Sequence, residues 1–283
     1  MTAETLPPGA RARAELEGRR FADVRWGTST GSTNDDAMDL ARDGAPEGIV
    51  LVADHQSTGR GRLGRTWQAP AGSSLLLSVL LRPPAAAADA VTMVAGLAMA
   101  EAVEAVAGVA ARLKWPNDLV VAVDGTDRKL AGILAEADWP AASNISAGYA
   151  APAAHERVVV VVGIGVNVNW PAEVPDELSA TLASCNHLAG HDVDREALLV
   201  EFLRRFDDRY DRLRSEPGRR DELRGDWRRR SATLGRRVRV DLGGDDIEGT
   251  AVDIDEVGRL VVETLEGDRR AVAVGDVVHL RPH

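Results

Sequence analysis

The residues from Gly59 to Trp67, Gly-Arg-Gly-Arg-Leu-Gly-Arg-Thr-Trp, concentrate more potential chemistry than any other stretch of the chain. Three glycines alternate with three arginines in a protein whose formal net charge is -10. Glycine lets the backbone take positive φ and approach a ligand closely. Arginine offers a permanently charged, planar fork of donors matched to carboxylate or phosphate. The pattern predicts a mobile loop that closes over an anion. Its spacing, Gly59-x-Gly61-x-x-Gly64, also matches the dinucleotide-binding fingerprint. That motif needs a strand before it, a helix opening on it and an acidic residue about 20 positions later. A strand fits Ile49 to Ala53, but Gln68-Ala69-Pro70-Ala71-Gly72 has turn composition, and Leu81-Arg82-Pro83-Pro84 stands where the acid belongs. The match fails its context. Neither the lysine and catalytic-loop elements of a protein kinase nor a P-loop occurs in the sequence.

Three further segments combine polar groups with constrained backbone. In Lys114-Trp115-Pro116-Asn117-Asp118, proline fixes φ and forces its predecessor to be extended. One bend then presents a cation, an amide and a carboxylate; a plain turn with an exposed lysine is the alternative. Lys129 lies within Arg128-Lys129-Leu130-Ala131-Gly132-Ile133-Leu134, where small residues let backbone come near a ligand, although on this segment alone a solvated strand lysine is the favoured reading. Gly163-Ile164-Gly165-Val166-Asn167-Val168-Asn169 follows a valine run. Two glycines at a strand end suggest close approach of a ligand and two asparagines supply amide groups, with a bulged strand end and structural asparagines as the equal alternative.

The elements that position these groups follow from patterning. Ser32-Thr33-Asn34 precede a helix over Asp35 to Ala41, with capping residues and early acids at its start. Ser74 to Leu81 is an apolar strand, Asp89 to about Val106 an Ala- and Val-rich helix, and Asp118 to Val123 a strand. Asp124-Gly125 is a hairpin signal, returning as Arg128 to Glu136. Residues 139–156 read as a variable loop, Val158 to Val162 as a strand buried on both faces, and Arg195 to Arg214 as a helix. The arginines between Arg204 and Arg230 alternate with acids, as on a solvated helical face. Short strands at Val238–Val240, Ile247–Ile254, Leu260–Glu263 and Ala271–Val274 predict a small C-terminal β-barrel. Residues 1–20 read as a mobile tail, 21–232 as the main domain and 233–283 as the barrel.

Composition bounds the function. Of the 283 residues, 45% are hydrophobic and 28% charged, which fits a globular protein. No apolar run reaches transmembrane length, and the N-terminus lacks a secretory pattern, so the cytoplasm is the expected address. The single cysteine, Cys185, rules out an intramolecular disulfide and a cysteine-based metal cluster, and reads as a small core residue. A pI near 5.2 argues against bulk nucleic-acid binding.

Taken in order, Ser32-Thr33-Asn34, Gln56 with the Gly59–Trp67 loop, Lys114–Asp118, Lys129–Leu134 and Gly163–Asn167 closely resemble the biotin–protein ligases, from about Phe21 to the C-terminus. The resemblance implies an α+β fold: a mixed, mainly antiparallel sheet with flanking helices, like class II synthetases, plus an SH3-like barrel. It also implies a two-step reaction. Biotin and ATP, with Mg2+ as part of the nucleotide substrate, give biotinyl-5′-adenylate; the amine of one lysine on a biotin carboxyl carrier domain then takes the acyl group.

By position, the resemblance assigns Ser32, Thr33, Asn34, Gln56, Gly59, Arg60, Gly61, Arg62, Lys129, Gly132 and Gly163 to biotin. It assigns Arg60, Arg62, Arg65, Trp67, Lys114, Asn117, Gly165 and Asn167 to nucleotide. Arg62 and Lys129 would neutralise the two anions brought together in the first step, and Asp118 would orient or deprotonate the acceptor lysine. No metal ligand is assigned, and no tightly bound cofactor is expected.

Family members that double as repressors carry an N-terminal winged helix, for which the residues before Phe21 leave no room, so no operator binding and no nucleic-acid or membrane partner is expected. A monomer or weak homodimer is expected. Two rival readings are a lipoate or octanoate transferase of the same fold and a non-enzymatic nucleic-acid-binding protein. The polar Ser32-Thr33-Gln56 group favours a ureido ring over lipoate, and the acidic charge disfavours nucleic acid.

Overall fold

Aliphatic and β-branched runs build a seven-stranded sheet in the order β1-β2-β3-β7-β6-β5-β4. The structure, a computed structural model, describes residues 6–138, 152–215, 220–242, 246–273 and 275–280. The strands are β1 (Asp23–Thr30), β2 (Ile49–Gln56), β3 (Ser74–Leu81), β4 (Arg112–Lys114), β5 (Asp118–Val123), β6 (Thr126–Asp138) and β7 (Val159–Asn167). β1 and β2 pair in parallel; every other pairing in this sheet is antiparallel. That matches the mixed, mainly antiparallel expectation.

Helices cover both faces of the sheet. Helix α2 (Thr33–Arg42) makes the crossover between β1 and β2, and its Ala37 and Ala41 pack with Ile49, Leu80 and Val161. On the other face lies α4 (Val91–Ala107), which follows the short α3 (Ala85–Ala88). α4 is apolar nearly all round because it lies between the sheet and the 21-residue helix α7 (Arg195–Ser215). Every residue of β3 is buried as a result. Each large aliphatic side chain so enclosed contributes about 1.5–3 kcal/mol. Two short helices, α5 (Asp176–Ser179) and α6 (Cys185–Ala189), precede α7. Cys185 is fully buried in this core, and desolvation pushes its thiol up to about 12, as befits a packing residue.

The N-terminal segment departs from the mobile-tail expectation over its described residues. Ala10–Glu15 forms helix α1, with Ala12 and Leu16 fully buried against the main core. Ala12 N–H donates to Glu196 Oε1 at 2.8 Å, and Arg11 pairs with Asp194 at 2.6 Å, which fastens α1 to the start of α7. The apolar pair at i, i+4 is masked in the sequence by surrounding Arg, Glu and Pro.

The arginine-rich region is likewise less solvated than its alternation predicts. Arg209 on α7 bridges Glu101 of α4 at 2.5 Å and Asp226 of α8 (Arg220–Arg230) at 2.8 Å. Charge alternation here records helix-to-helix pairing. The 139–156 loop is described only from residue 152; residues 139–151 lie outside the described set.

The hairpin at Asp124-Gly125 forms as expected, with φ of 50° and 74° at the two turn residues. The C-terminal unit is a five-stranded antiparallel sheet in the order β11-β10-β9-β8-β12. It comprises β8 (Arg237–Asp241), β9 (Ile247–Ile254), β10 (Leu260–Thr264), β11 (Arg269–Val272) and β12 (Asp276–His279). β11 starts two residues before the predicted Ala271 and ends at Val272, and Val274 is not among the described residues. β12 escaped the sequence reading, because Asp276-Val277-Val278-His279 holds only two apolar residues.

Candidate active site

A cavity of about 350 Å³ opens where the two sheets meet. Its floor is Leu77 of β3, Gly132, Ile133 and Leu134 of β6, and Gly163, Ile164 and Gly165 of β7. Ser32, Thr33, Asn34 and Gln56 form one wall; Arg60, Gly61, Arg62, Arg65, Thr66 and Trp67 arch over it. Lys114 to Asp118 and Lys129 close the far end, and Asp276, Val277 and Val278 of β12 form the rim. Of the predicted site residues, only Gly59 and Asn167 stand outside this lining.

The floor glycines lie in mid-strand, not at the strand end expected for Gly163 and Gly165, because β7 continues to Asn167. Their register explains the need for glycine. Gly132 faces Gly165 across the β6–β7 pair. A Cβ on Gly165 would stand 2.6 Å from Cε2 of Trp67, and one on Gly163 would stand 2.1 Å from Oδ1 of Asn34. Gly132 abuts both the indole and Lys129 Nζ. The indole of Trp67 therefore lies flat against bare strand backbone, with Lys129 Nζ 5.6 Å from its ring centre.

The polar wall is a closed network. Ser32 caps α2 by accepting from Asp35 N–H. Gln56 Oε1 accepts from the Thr33 backbone N–H at 2.7 Å and from its hydroxyl at 3.0 Å. Ser78 Oγ lies 2.7 Å from Thr33 Oγ1 and 2.6 Å from Asn34 Oδ1. Asn34 Nδ2 donates to Glu136 at 2.7 Å. Asn34 is thus braced by Ser78, Glu136 and the Leu134 carbonyl, 3.3 Å from its Nδ2, and holds the floor; the amide nitrogen of Gln56 lies against Gly59. Ser78 and Glu136 complete this network without having been singled out in the sequence. Glu136 lies in a strand legible from patterning, but its partner is about a hundred residues away, and no local signal marks it.

The cations divide by function. Lys129 Nζ stands 2.7 Å from Asp118 Oδ1, an ion pair at the closed end. Arg62 is half-buried and donates to Asn117 Oδ1 at 3.3 Å and to the Gly275 carbonyl at 3.5 Å. Burial lowers its pKa below the ordinary guanidinium value, although Asp276 and Asp118 oppose the shift. Arg60 turns outward to Asp35 at 2.5 Å and Glu136 at 2.8 Å, and Arg65 pairs with Asp276. The arginine loop is therefore pinned on one side to α2 and β6 and on the other to β12.

Two assignments from the sequence are not supported by this geometry. Gly59 is buried below the loop, where a Cβ would meet the Trp67 carbonyl at 2.5 Å; its role is close chain packing. The Asn167 side chain is buried, donates to Lys129 O at 3.4 Å and Ala183 O at 3.1 Å, and accepts from Trp170 Nε1 at 3.0 Å. It ties the chain around residue 183 to the strand that carries Lys129 and lies beneath the cavity wall. Trp115, Ile133, Leu134 and the three β12 residues line the site without having been individually assigned.

The family profile for the biotin/lipoate A/B protein ligases matches residues 26–140, and that for the biotin protein ligase C-terminal domain matches residues 233–280. These define a ligase of the biotin and lipoate class. The chain is 40% identical over 260 residues to the biotin–[acetyl-CoA-carboxylase] ligase of Mycobacterium tuberculosis, covering 89% of this chain and 87% of that protein. It is 34% identical to the enzyme of the same description from Paracoccus denitrificans, over 88% of this chain and 97% of that one. A solved biotin protein ligase from Aquifex aeolicus, in complex with biotin and ATP, superposes with a TM-score of 0.71 at 28% identity, covering 93% of this chain and all of that one. The chain belongs to the biotin protein ligase family.

Proposed function

We propose that the chain activates biotin with ATP and transfers it to a lysine of a biotin carboxyl carrier domain. The observation that carries this reading is one cavity with a polar hydroxyl–amide wall, an apolar floor, and Arg62 and Lys129 at the end where an acyl carboxylate would meet a phosphate. In the first step a carboxylate oxygen attacks the α-phosphorus, an O–P bond forms, and pyrophosphate leaves with the electrons of the broken bond. Arg62 and Lys129 offset the charge shared by the two anions, and the excluded water protects the mixed anhydride. In the second step the carrier amine attacks the acyl carbon, the bond to the adenylate oxygen breaks, and the amine loses its proton. Asp118, the partner of Lys129, orients that amine or takes the proton.

Ser32, Thr33 and Gln56 take the ureido end of biotin, while Trp67, Lys114 and Asn117 serve the nucleotide. Mg2+ enters with the triphosphate. Among the described residues no helix is long and apolar enough to cross a membrane. The same proposal puts the enzyme in the cytoplasm, as a monomer or weak homodimer without a nucleic-acid partner. It divides the chain near residue 232. Incubation with ATP, Mg2+, labelled biotin and a carrier domain tests the reading. Label on one carrier lysine supports it; transfer of lipoate in preference to biotin overturns it.

A further inference from the structure

The bend that ends in Asn117 and Asp118 is held from the C-terminal sheet. Trp115 N–H donates at 3.0 Å to the hydroxyl of Thr233, and Ala232 N–H donates at 2.7 Å to the Leu113 carbonyl. Thr233 is fully buried, and its oxygen also lies 3.3 Å from Nε2 of His279 on β12. Nδ1 of His279 is 3.1 Å from Asp127 Oδ2, at the start of β6. Arg236 Nη1 donates to that same carboxylate oxygen at 2.6 Å.

Two placements of the imidazole proton satisfy these groups, and both join His279 to Thr233. With the proton on Nδ1 the ring donates to Asp127, and Nε2 accepts from the Thr233 hydroxyl. With it on Nε2 the ring donates to Thr233, and Nδ1 accepts from Arg236 Nη1 at 3.1 Å. In either case a lone pair of Thr233 accepts from the Trp115 amide. His279 and Asp127 are almost wholly enclosed, at 12% and 10% side-chain exposure. Burial and the charges of Lys114 and Arg236, opposed by Asp127, push the imidazole down to about 4, so it is neutral at physiological pH, as both placements require.

We infer that His279 is a positioning residue for the active site: through Thr233 it fixes the Trp115 amide, and so sets where the bend presents Lys114 and Asn117 to the cavity. Neither His279 nor Thr233 lines the cavity; Thr233 reaches it through the bend, and His279 is also continuous with the β12 residues at the rim. Asn117 is the most exacting product of that bend. Its Nδ2 donates to the Ile133 carbonyl at 2.7 Å while its Oδ1 receives Arg62, so displacement of the bend withdraws both contacts. The inference that nucleotide is the affected substrate rests on the proposed function; the hydrogen-bond relay itself does not.

Two measurements separate these layers. In biotin-dependent ATP–pyrophosphate exchange, Thr233→Val and His279→Ala are expected to raise KM for ATP by about tenfold while KM for biotin stays within about twofold. Thr233→Ser, which keeps the hydroxyl, is expected to restore KM for ATP. Equal increases in both KM values, or no rescue by serine, would overturn the positioning role in favour of general loosening. In the unliganded full chain, Thr233→Val and His279→Ala should each accelerate hydrogen exchange of the Trp115 amide, read by NMR. An unchanged Trp115 amide in either variant overturns the relay. Absence of biotin-dependent exchange in the parent protein would refute the ligase reading instead, with the NMR result still deciding the relay.

Discussion

The indole of Trp67 and the backbone of Gly165 touch so closely that a single methyl on the glycine would lie within 2.6 Å of the ring. Loop and floor are therefore complementary surfaces, and Gly165 is the contact that lets the loop settle. Gly165→Ala is expected to dislodge the indole at a cost of about 1–3 kcal/mol in stability. Nucleotide affinity should fall along with it. Denaturant unfolding and ATP titration check the two parts; an unchanged affinity would separate Trp67 from the nucleotide end of the site.

Lys129 pairs with Asp118 and leans over the Trp67 ring. Lys129→Ala should depress biotin-dependent ATP–pyrophosphate exchange by about 100-fold or more, the scale of losing one preorganised charge partner. Asp118→Asn should leave exchange nearly intact and slow transfer to the carrier. Equal losses in both steps would remove the separate role of Asp118 in transfer.

Arg62 links the loop to Asn117 and to the β12 side of the cavity. Its replacement by glycine should still permit adenylate formation but let the intermediate escape, so that bystander amines become labelled. Mass spectrometry of an inert protein added to the reaction reads this directly. Tight retention of the adenylate by Arg62→Gly would show that the loop does not guard it.

Asn167 sits beneath the cavity wall, bound to three partners. Asn167→Ala strands the Trp170 indole N–H and the Ala183 carbonyl, at a cost of about 2–4 kcal/mol in unfolding free energy. Urea unfolding measures this. A stable variant with selectively weakened ATP binding would return Asn167 to the nucleotide site.

His279 makes stability depend on pH in a defined window. Its folded pKa is lowered from the ordinary 6.5 to about 4, chiefly by burial and also by Lys114 and Arg236, with Asp127 opposing. The unfolded chain therefore binds the proton first as pH falls. The stabilising contribution is complete above pH 6.5 and disappears progressively between 6.5 and about 4. Its full size is on the order of 3 kcal/mol. Unfolding curves from about pH 7.5 to about pH 5 should show a steeper loss in the parent than in His279→Gln. Parallel slopes would mean that the imidazole is not the titrating group.

Local chemistry made much of the site readable. The Ser32 cap of α2, the Asp124-Gly125 turn and the apolar runs of β2, β3 and β7 are decided by short-range backbone preferences and appear where the patterning places them, although α2 begins at Thr33, two residues earlier than read. The loop glycines and arginines marked a candidate site for the same reason: glycine permits close approach and arginine carries fixed charge wherever it is placed, and the structure sets this loop over the cavity. Among the elements that escaped were α1, β1 and β12, whose apolar content is too small to stand out without the surfaces they bury against.

The sequence by itself determined the kind of groups available: a glycine-arginine loop, a lysine–asparagine bend, a second lysine beside small residues, and hydroxyl and amide groups for a polar wall. Only the tertiary structure decided which of them share the cavity. It directed Arg60 outward to Asp35 and Glu136, placed Asn167 beneath the wall, and brought β12 to the rim. The reason is physical. Residue type fixes what bonds a group can form, but its partner depends on contacts between chain segments as far apart as Thr233 and Trp115, which no local spacing encodes. The Gly59–Trp67 loop was legible as a glycine-arginine segment suited to an anion; that it is fastened at both sides, with Trp67 resting on Gly165, is a property of the fold.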